Sequence, residues 1–184
     1  MSPDLPLQRA AIALGANLDD RRATLEAALV ELDASPGVRV LARSRWYRSA
    51  PVGPPQPPYI NGCALLAVSL EPEELLQRLL DTEARFGRVR GERWGPRTLD
   101  LDLLLLDQQC WTSPRLTLPH PRLRERAFVL LPLAEIAPNW IDPVSGLCVA
   151  ELAAALPAAL KGEDALEALE PQRSPGGVKS SARV

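Results

Sequence analysis

The sequence predicts an α+β fold built on one antiparallel sheet, and three observations carry that prediction. Four stretches, beginning at Ala10, Val38, Tyr59 and Leu99, read as strands. Two stretches, one after the first strand and one after the third, repeat leucine at helical spacing. The resulting order, β-α-β-β-α-β, is the ferredoxin-like plan, with helices on one face of the sheet and the other face left for ligands. Additional short elements follow the last strand. With 184 residues, 46% apolar and 24% charged, the chain can bury one sizeable core and has the composition of a globular domain.

Ala10 to Leu14 is an apolar run read as a central strand, and Gly15-Ala16-Asn17-Leu18 as the turn that ends it. Asp19 or Asp20 then offers a side-chain oxygen to the free N–H groups of a helix start. Leu25, Ala28, Leu29 and Leu32 line that helix, and Ser35-Pro36-Gly37 stops it. One strand is expected from Val38 to Tyr47, with Val38, Val40, Ala42, Ser44 and Trp46 on one side. Ala50 to Pro58 holds five prolines and a glycine in nine residues. Proline fixes φ and lacks an N–H, so this is a loop, longer than most connections, as loops that close over ligands often are.

Tyr59 to Leu70 is the third strand. Glu71-Pro72-Glu73-Glu74 opens the second helix, with proline in the first turn and acids near the positive end of the dipole. Leu75, Leu76, Leu79 and Leu80 form its apolar stripe. One turn on, Glu83 takes a place where the stripe calls for an apolar residue. A carboxylate facing a core needs a partner, so Glu83 is either a structural ion pair or a site residue. After the fourth strand, Asp107-Gln108-Gln109 is a turn, and Leu116 to Leu118 leads into Pro119-His120-Pro121, which carries the only histidine. Phe128 to Leu133 is a buried run. Asn139 to Val149 is a hairpin or irregular segment, and Glu151 to Leu160 a short helix broken at Pro157. From Lys161 the composition turns polar, with Ser-Pro-Gly-Gly at 174–177. Residues 10–160 are therefore expected to form one domain and 161–184 a disordered tail.

The chemistry concentrates between Arg85 and Asp102. Leu99-Asp100-Leu101-Asp102-Leu103 alternates with period two, which puts both carboxylates on one strand face, roughly 6.5–7 Å apart at Cα. Two such anions repel unless cations lie between them. The pair suits Mg²⁺, which takes one or two carboxylates and completes its shell with water and phosphate oxygens. A plainly solvated strand face is the competing reading. Against it stand Arg85, Arg88, Arg90, Arg93 and Arg97, all within the preceding fifteen or so residues. Of the 21 basic residues only Lys161 and Lys179 are lysines, and arginine is the better bidentate partner for phosphate. No P-loop pattern occurs, so phosphate must be held by arginines and metal.

Arg93-Trp94-Gly95-Pro96-Arg97-Thr98-Leu99-Asp100-Leu101-Asp102-Leu103-Leu104 resembles the signature of the 6-hydroxymethyl-7,8-dihydropterin pyrophosphokinases. The Gly-x-Asn-Leu at residues 15–18 and the Pro119-His120 pair extend the resemblance over roughly residues 10–156. It implies a diphosphokinase of folate biosynthesis that transfers pyrophosphate from ATP to the hydroxymethyl group of the pterin, releasing AMP. By the same resemblance, Asp100 and Asp102 hold two Mg²⁺ ions, and Arg88 and Arg97 act on the phosphates. Arg90, Arg93, Trp94, Arg115, Thr117, His120 and Arg126 match nucleotide-contacting positions. Tyr59 and Phe128 match aromatics that sandwich the pterin ring, Asn61 the amide that reads its edge, and Trp94 a residue that covers the site. Ser49, Ala50 and Val52 match the loop over the pterin, with Asp100 also at that substrate.

A net charge of −2 does not point to nucleic acid, and the aromatic strand signature of ferredoxin-like RNA binders is missing. A nuclease built on Asp-x-Asp would bring further carboxylates to its metals, and none is obvious. Cys63, Cys110 and Cys148 have no zinc or disulfide spacing. No signal-peptide pattern or membrane-length apolar run occurs. A cytoplasmic protein acting on small molecules, without membrane or nucleic-acid partners, is expected; a monomer is compatible with the sequence, which leaves the oligomeric state open.

Overall fold

The computed structural model describes residues 6–51, 55–87, 98–160 and 166–171. The chain runs β1 (Gln8–Ala16), α1 (Arg21–Asp33), β2 (Val38–Arg43), β3 (Tyr47–Ser49), β4 (Tyr59–Val68), α2 (Pro72–Arg85) and β5 (Asp100–Leu106). It continues through β6 (Trp111–Thr112), β7 (Thr117–Leu118), α3 (Ala127–Ile136), α4 (Val149–Ala155) and β8 (Leu166–Ala168). The main sheet is antiparallel, ordered β5-β1-β4-β3-β8, with β2 also paired to β4. β6 and β7 form a separate ribbon.

Local chemistry sets the helix starts. Asp20 accepts the Ala23 N–H at 3.2 Å and caps α1. Glu74 reaches back to the Glu71 N–H at 3.0 Å, closing the first turn of α2 around Pro72. Leu25, Ala28, Leu29 and Leu32 of α1 join Leu75 and Leu79 of α2 in a core against Ile12, Leu14, Leu66, Leu101 and Leu103.

Four sequence expectations are corrected. The two helices expected on one face, α1 and α2, do share it, but the other face is not left bare for ligands. Residues of opposite parity, Ala11, Ala13 and Cys63, pack with Leu104 and Leu105 against Val129, Leu130, Leu133, Leu152 and Ala153 of α3 and α4. A sheet apolar on both faces must be covered on both, and the run from Phe128 to Leu133 supplies that cover as a helix. The α3 layer leaves the end of the sheet near Asp100 open.

The stretch from Val38 to Tyr47 is two strands. Its register shifts between Val40 and Ala42, and the Ser44 hydroxyl accepts the Cys63 N–H at 2.9 Å, breaking the ladder. Trp46 lies in the core over Gly62, where a Cβ would come within 2.6 Å of the indole ring. Gly15 is in a strand, not a turn. It pairs with Asn61 on one side and Asp100 on the other, and β1 continues to Ala16.

The tail expected to be disordered from residue 161 includes β8. Leu166–Ala168 pair with Tyr47–Ser49, and Leu166 is buried. An open strand edge offers unpaired N–H and C=O groups to any segment that can reach it, a long-range partner that composition does not reveal. Residues 161–165 and 172–184 lie outside the described residues.

Candidate active site

Alternation on three adjacent strands builds the site. Gly15 and Ala13 on β1, Tyr59 and Asn61 on β4, and Asp100 and Asp102 on β5 all face the layer that α3 covers only in part. With Leu14, Ser49, Ala50, His120, Arg126 and Phe128 they line a cleft of about 250 Å³. A second cleft of about 400 Å³ lies on the other side of β5, lined by Leu76, Leu80, Glu83, Ser113, Arg115, Thr117 and Pro121 among others. Asp100, Asp102 and His120 border both. The acid pair therefore stands where two cavities meet.

β5 is an edge strand, and its outer side is sealed by specific groups. Glu83, 2% exposed, accepts the Leu101 N–H at 2.7 Å. The out-of-pattern carboxylate on α2 thus fixes the peptide between the two aspartates. Between Leu103 and Leu105 the pairing with β1 skips Leu104, a β-bulge. The Leu104 carbonyl accepts the His120 N–H at 2.9 Å. That bond ties the Pro119-His120-Pro121 segment to the acidic strand and brings His120 Nε2 to 3.9 Å from Asp102 Oδ2.

His120 Nδ1 accepts the Arg122 N–H at 3.1 Å, which puts the proton of the neutral ring on Nε2, the nitrogen facing the acids. Burial, with Arg126 and Arg122 nearby, lowers its pKa to about 4 against the opposing pull of Asp100. The ring is accordingly neutral at physiological pH. Arg126 Nη1 is 3.6 Å from Asp102 Oδ2, and its guanidinium carbon lies 5.5 Å from the centre of the Phe128 ring. Burial lowers the Arg126 pKa, opposed chiefly by Asp102. Asn61, also buried, donates from Nδ2 to the Ser49 hydroxyl at 2.6 Å, which fixes the orientation of its amide.

Of the residues expected from the sequence, Ser49, Ala50, Tyr59, Asn61, Asp100, Asp102, His120, Arg126 and Phe128 share the first cleft. Arg115 and Thr117 line the second, and Arg115 donates to Gln77 Oε1 of α2 at 2.7 Å. Val52, Arg88, Arg90, Arg93, Trp94 and Arg97 lie outside the described residues. Sequence reading missed Ala13, Leu14 and Gly15 as cleft residues. The available signal was Gly15 itself, expected in a turn but placed by the structure in a strand, where a glycine often marks close approach of a ligand or another backbone.

The acid pair fits a hard divalent cation. Asp100 and Asp102 are two hard oxygen donors on one strand face, a set that Mg²⁺ can take with water and phosphate oxygens completing its shell; among the described residues no cluster of three or more His, Cys, Asp or Glu side chains exists. Among the described residues no helix is long and apolar enough to cross a membrane.

Comparison with known proteins gives the same direction. The family model for 7,8-dihydro-6-hydroxymethylpterin-pyrophosphokinase matches residues 11–138. A Synechocystis 2-amino-4-hydroxy-6-hydroxymethyldihydropteridine pyrophosphokinase is 52% identical over 151 residues, covering 81% of this chain and 77% of that protein. A Pseudomonas aeruginosa protein of the same name is 47% identical, covering 82% and 93%. Among solved structures, wild-type Plasmodium falciparum HPPK-DHPS with pteroate has a similar fold, with a TM-score of 0.66 at 12% identity, covering 84% of this chain. This chain spans 43% of that longer one. The family match over residues 11–138, with identities this high over four-fifths of the chain, shows that the protein belongs to the 7,8-dihydro-6-hydroxymethylpterin-pyrophosphokinase family.

Proposed function

We propose that this chain transfers pyrophosphate from ATP to 6-hydroxymethyl-7,8-dihydropterin, giving the pterin pyrophosphate and AMP in folate biosynthesis. The observation that carries the reading is the position of Asp100 and Asp102 at the junction of the two clefts. The first cleft has the features a flat, polar-edged ring needs. Tyr59 and Phe128 supply aromatic surface, Asn61 a fixed amide, and Gly15 a floor without a side chain. The second, with Arg115 and Thr117, is assigned to the nucleotide.

In this mechanism the transferred group sits over β5, between the clefts. Asp100 and Asp102 would hold Mg²⁺, which supplies charge neutralisation on the triphosphate when bound. The protein does the rest by positioning. Asn61 and the aromatic pair aim the hydroxymethyl arm at the acid pair. His120 presents a neutral Nε2–H toward phosphate oxygen, and Arg126 adds a fixed positive charge where negative charge accumulates. Arg88 and Arg97, outside the described residues, are assigned to the transferring phosphates, with Arg90, Arg93 and Trp94 to the nucleotide and Trp94 and Val52 to closure over the pterin. The sheet order is read as a ferredoxin-like plan extended by β8, α3 and α4, and three free cysteines agree with a cytoplasmic location.

The deciding experiment follows adenine nucleotides by chromatography with ATP, Mg²⁺ and the pterin present or omitted. AMP is expected only with the pterin, in step with the pterin pyrophosphate. ADP as the product, or AMP formed equally without pterin, would refute the assignment.

A further inference from the structure

We propose that the C-terminal strand β8 is a positioning element for the ring-binding side of the active site. The inference rests on the reading of the first cleft as the pterin site. It starts from β3, which has only three residues and whose inner edge sets Tyr47 opposite Asn61 and Ser49 opposite Tyr59. Each of those pairs includes a residue lining the cleft. Without β8 the outer edge of β3 is unpaired, and so short an edge strand has little to hold it in register.

β8 supplies the missing neighbour. Leu166 pairs opposite Ser49, Glu167 opposite Arg48 and Ala168 opposite Tyr47. Glu167 Oε2 lies 3.4 Å from Arg48 Nη1, and the Leu169 N–H donates to the Trp46 carbonyl at 2.8 Å. Arg22, on α1, donates to the Glu170 carbonyl at 3.0 Å. Leu166 shares the cleft-side face with Ser49 and is 7% exposed, while Leu169 packs on the opposite core. The segment is therefore held at both faces and along its edge.

Ser49 transmits this to the substrate side. Its hydroxyl accepts from Asn61 Nδ2, and that bond orients the Asn61 amide, whose Oδ1 lies over Gly15. A shift of β3 changes the direction in which Asn61 presents its polar atoms, and loosens Ala50 at the cleft rim. Asp100 and Asp102 lie on β5, at the opposite end of the sheet from β8, and His120 is tied to β5 through the Leu104 carbonyl. The strap should thus govern affinity for the ring and leave the nucleotide side alone.

The test compares the full-length chain, a chain truncated after Leu160, and full-length Leu169→Pro, which deletes the one amide donated to Trp46. Calorimetry measures 6-hydroxymethylpterin binding with a non-hydrolysable ATP analogue and Mg²⁺ present, and separately the analogue alone. Circular dichroism checks folding. Both variants should bind the pterin about tenfold more weakly, the scale of one misplaced buried hydrogen bond, with analogue affinity within about twofold and KM for the pterin raised more than kcat falls. If the truncated chain does not fold, Leu169→Pro decides. Folded variants that bind pterin as tightly as the full chain, or that lose both ligands equally, would overturn the proposal. Failure of the full-length chain itself to bind the pterin would instead strike the reading of the cleft.

Discussion

Gly15→Ala separates ring recognition from folding. A Cβ built at Gly15 lies 3.1 Å from Asn61 Oδ1, 3.8 Å from Tyr59 Cδ1 and 3.9 Å from the Ile60 carbonyl oxygen. Only the first contact is tight, and a few tenths of an ångström relieve it. Asn61 cannot move freely, because its Nδ2 is bonded to Ser49 at 2.6 Å. For the fold, replacing glycine at a conformation alanine can adopt stabilises by about 0.4–1 kcal/mol through the unfolded chain. That roughly offsets the contact, so the net change in stability should stay within about 1 kcal/mol. For the ligand, a methyl group is added to the floor of a cleft of about 250 Å³, and the Asn61 amide, proposed above to read the ring edge, is displaced. An imperfectly met buried polar group costs about 1–3 kcal/mol, which corresponds to about five- to 150-fold in affinity. Calorimetry with pterin in the presence of an ATP analogue reads this directly, and denaturant unfolding reads the fold. Pterin affinity within twofold of the parent in a folded Gly15→Ala protein would refute the reasoning, as would a loss of stability large enough to account for the change.

Asp102→Ala should lower turnover by several orders of magnitude, because charge neutralisation is worth several kcal/mol, while the melting temperature changes little for a side chain 34% exposed; most activity surviving at saturating Mg²⁺ would remove Asp102 from the metal site. Glu83→Ala strips the carboxylate from the Leu101 N–H and should cost about 1–3 kcal/mol of stability, with Glu83→Gln recovering part of it; equal unfolding midpoints for Ala and parent would show that the bond does not hold β5. Phe128→Ala should weaken pterin binding about ten- to 100-fold, on the scale of aromatic stacking, and spare the ATP analogue; loss of both affinities together would make Phe128 a core residue. The Asp142 carboxyl is held below its ordinary pKa of 3.8 despite burial, by hydrogen bonds from Arg124, Ser145 and the Val144 N–H. A depressed folded-state pKa contributes stability that is present above the unfolded value and lost as pH falls below about 3.8 toward the folded one. Asp142→Asn should therefore flatten the acid limb of the stability curve, and an unchanged slope in urea unfolding below pH 4 would contradict this.

How far the sequence could be read depended on the range of the interactions. The alternation around Asp100 and Asp102, the Asp20 cap and the proline-led start of α2 all express neighbours a few residues apart, and each appears in the structure. Glu83 was legible as an anomaly, because a carboxylate interrupted an apolar stripe. One group it meets was not, since Glu83 accepts the backbone N–H of Leu101, eighteen positions away. The stretch Val38–Tyr47 divides where its register on β4 shifts between Val40 and Ala42 and the Ser44 hydroxyl takes the Cys63 N–H, with Trp46 packed over Gly62. Only pairing with β4 makes that contact.

The sequence by itself determined the nature of the site: two carboxylates on one strand face, a lone histidine between prolines, a few aromatics, and a long motif whose residue types suit metal and phosphate. Those are properties of side chains and of the period of a strand, and both are written in the chain order. The tertiary structure alone decided that β1 brings Gly15 between Asn61 and Asp100, that α3 covers part of the second face and leaves a cleft beside it, and that a polar C-terminal segment becomes the outermost strand. These depend on register and on which open edge a distant segment fills. Backbone hydrogen bonds form such pairings with almost any side chain, so composition and periodicity carry no record of them.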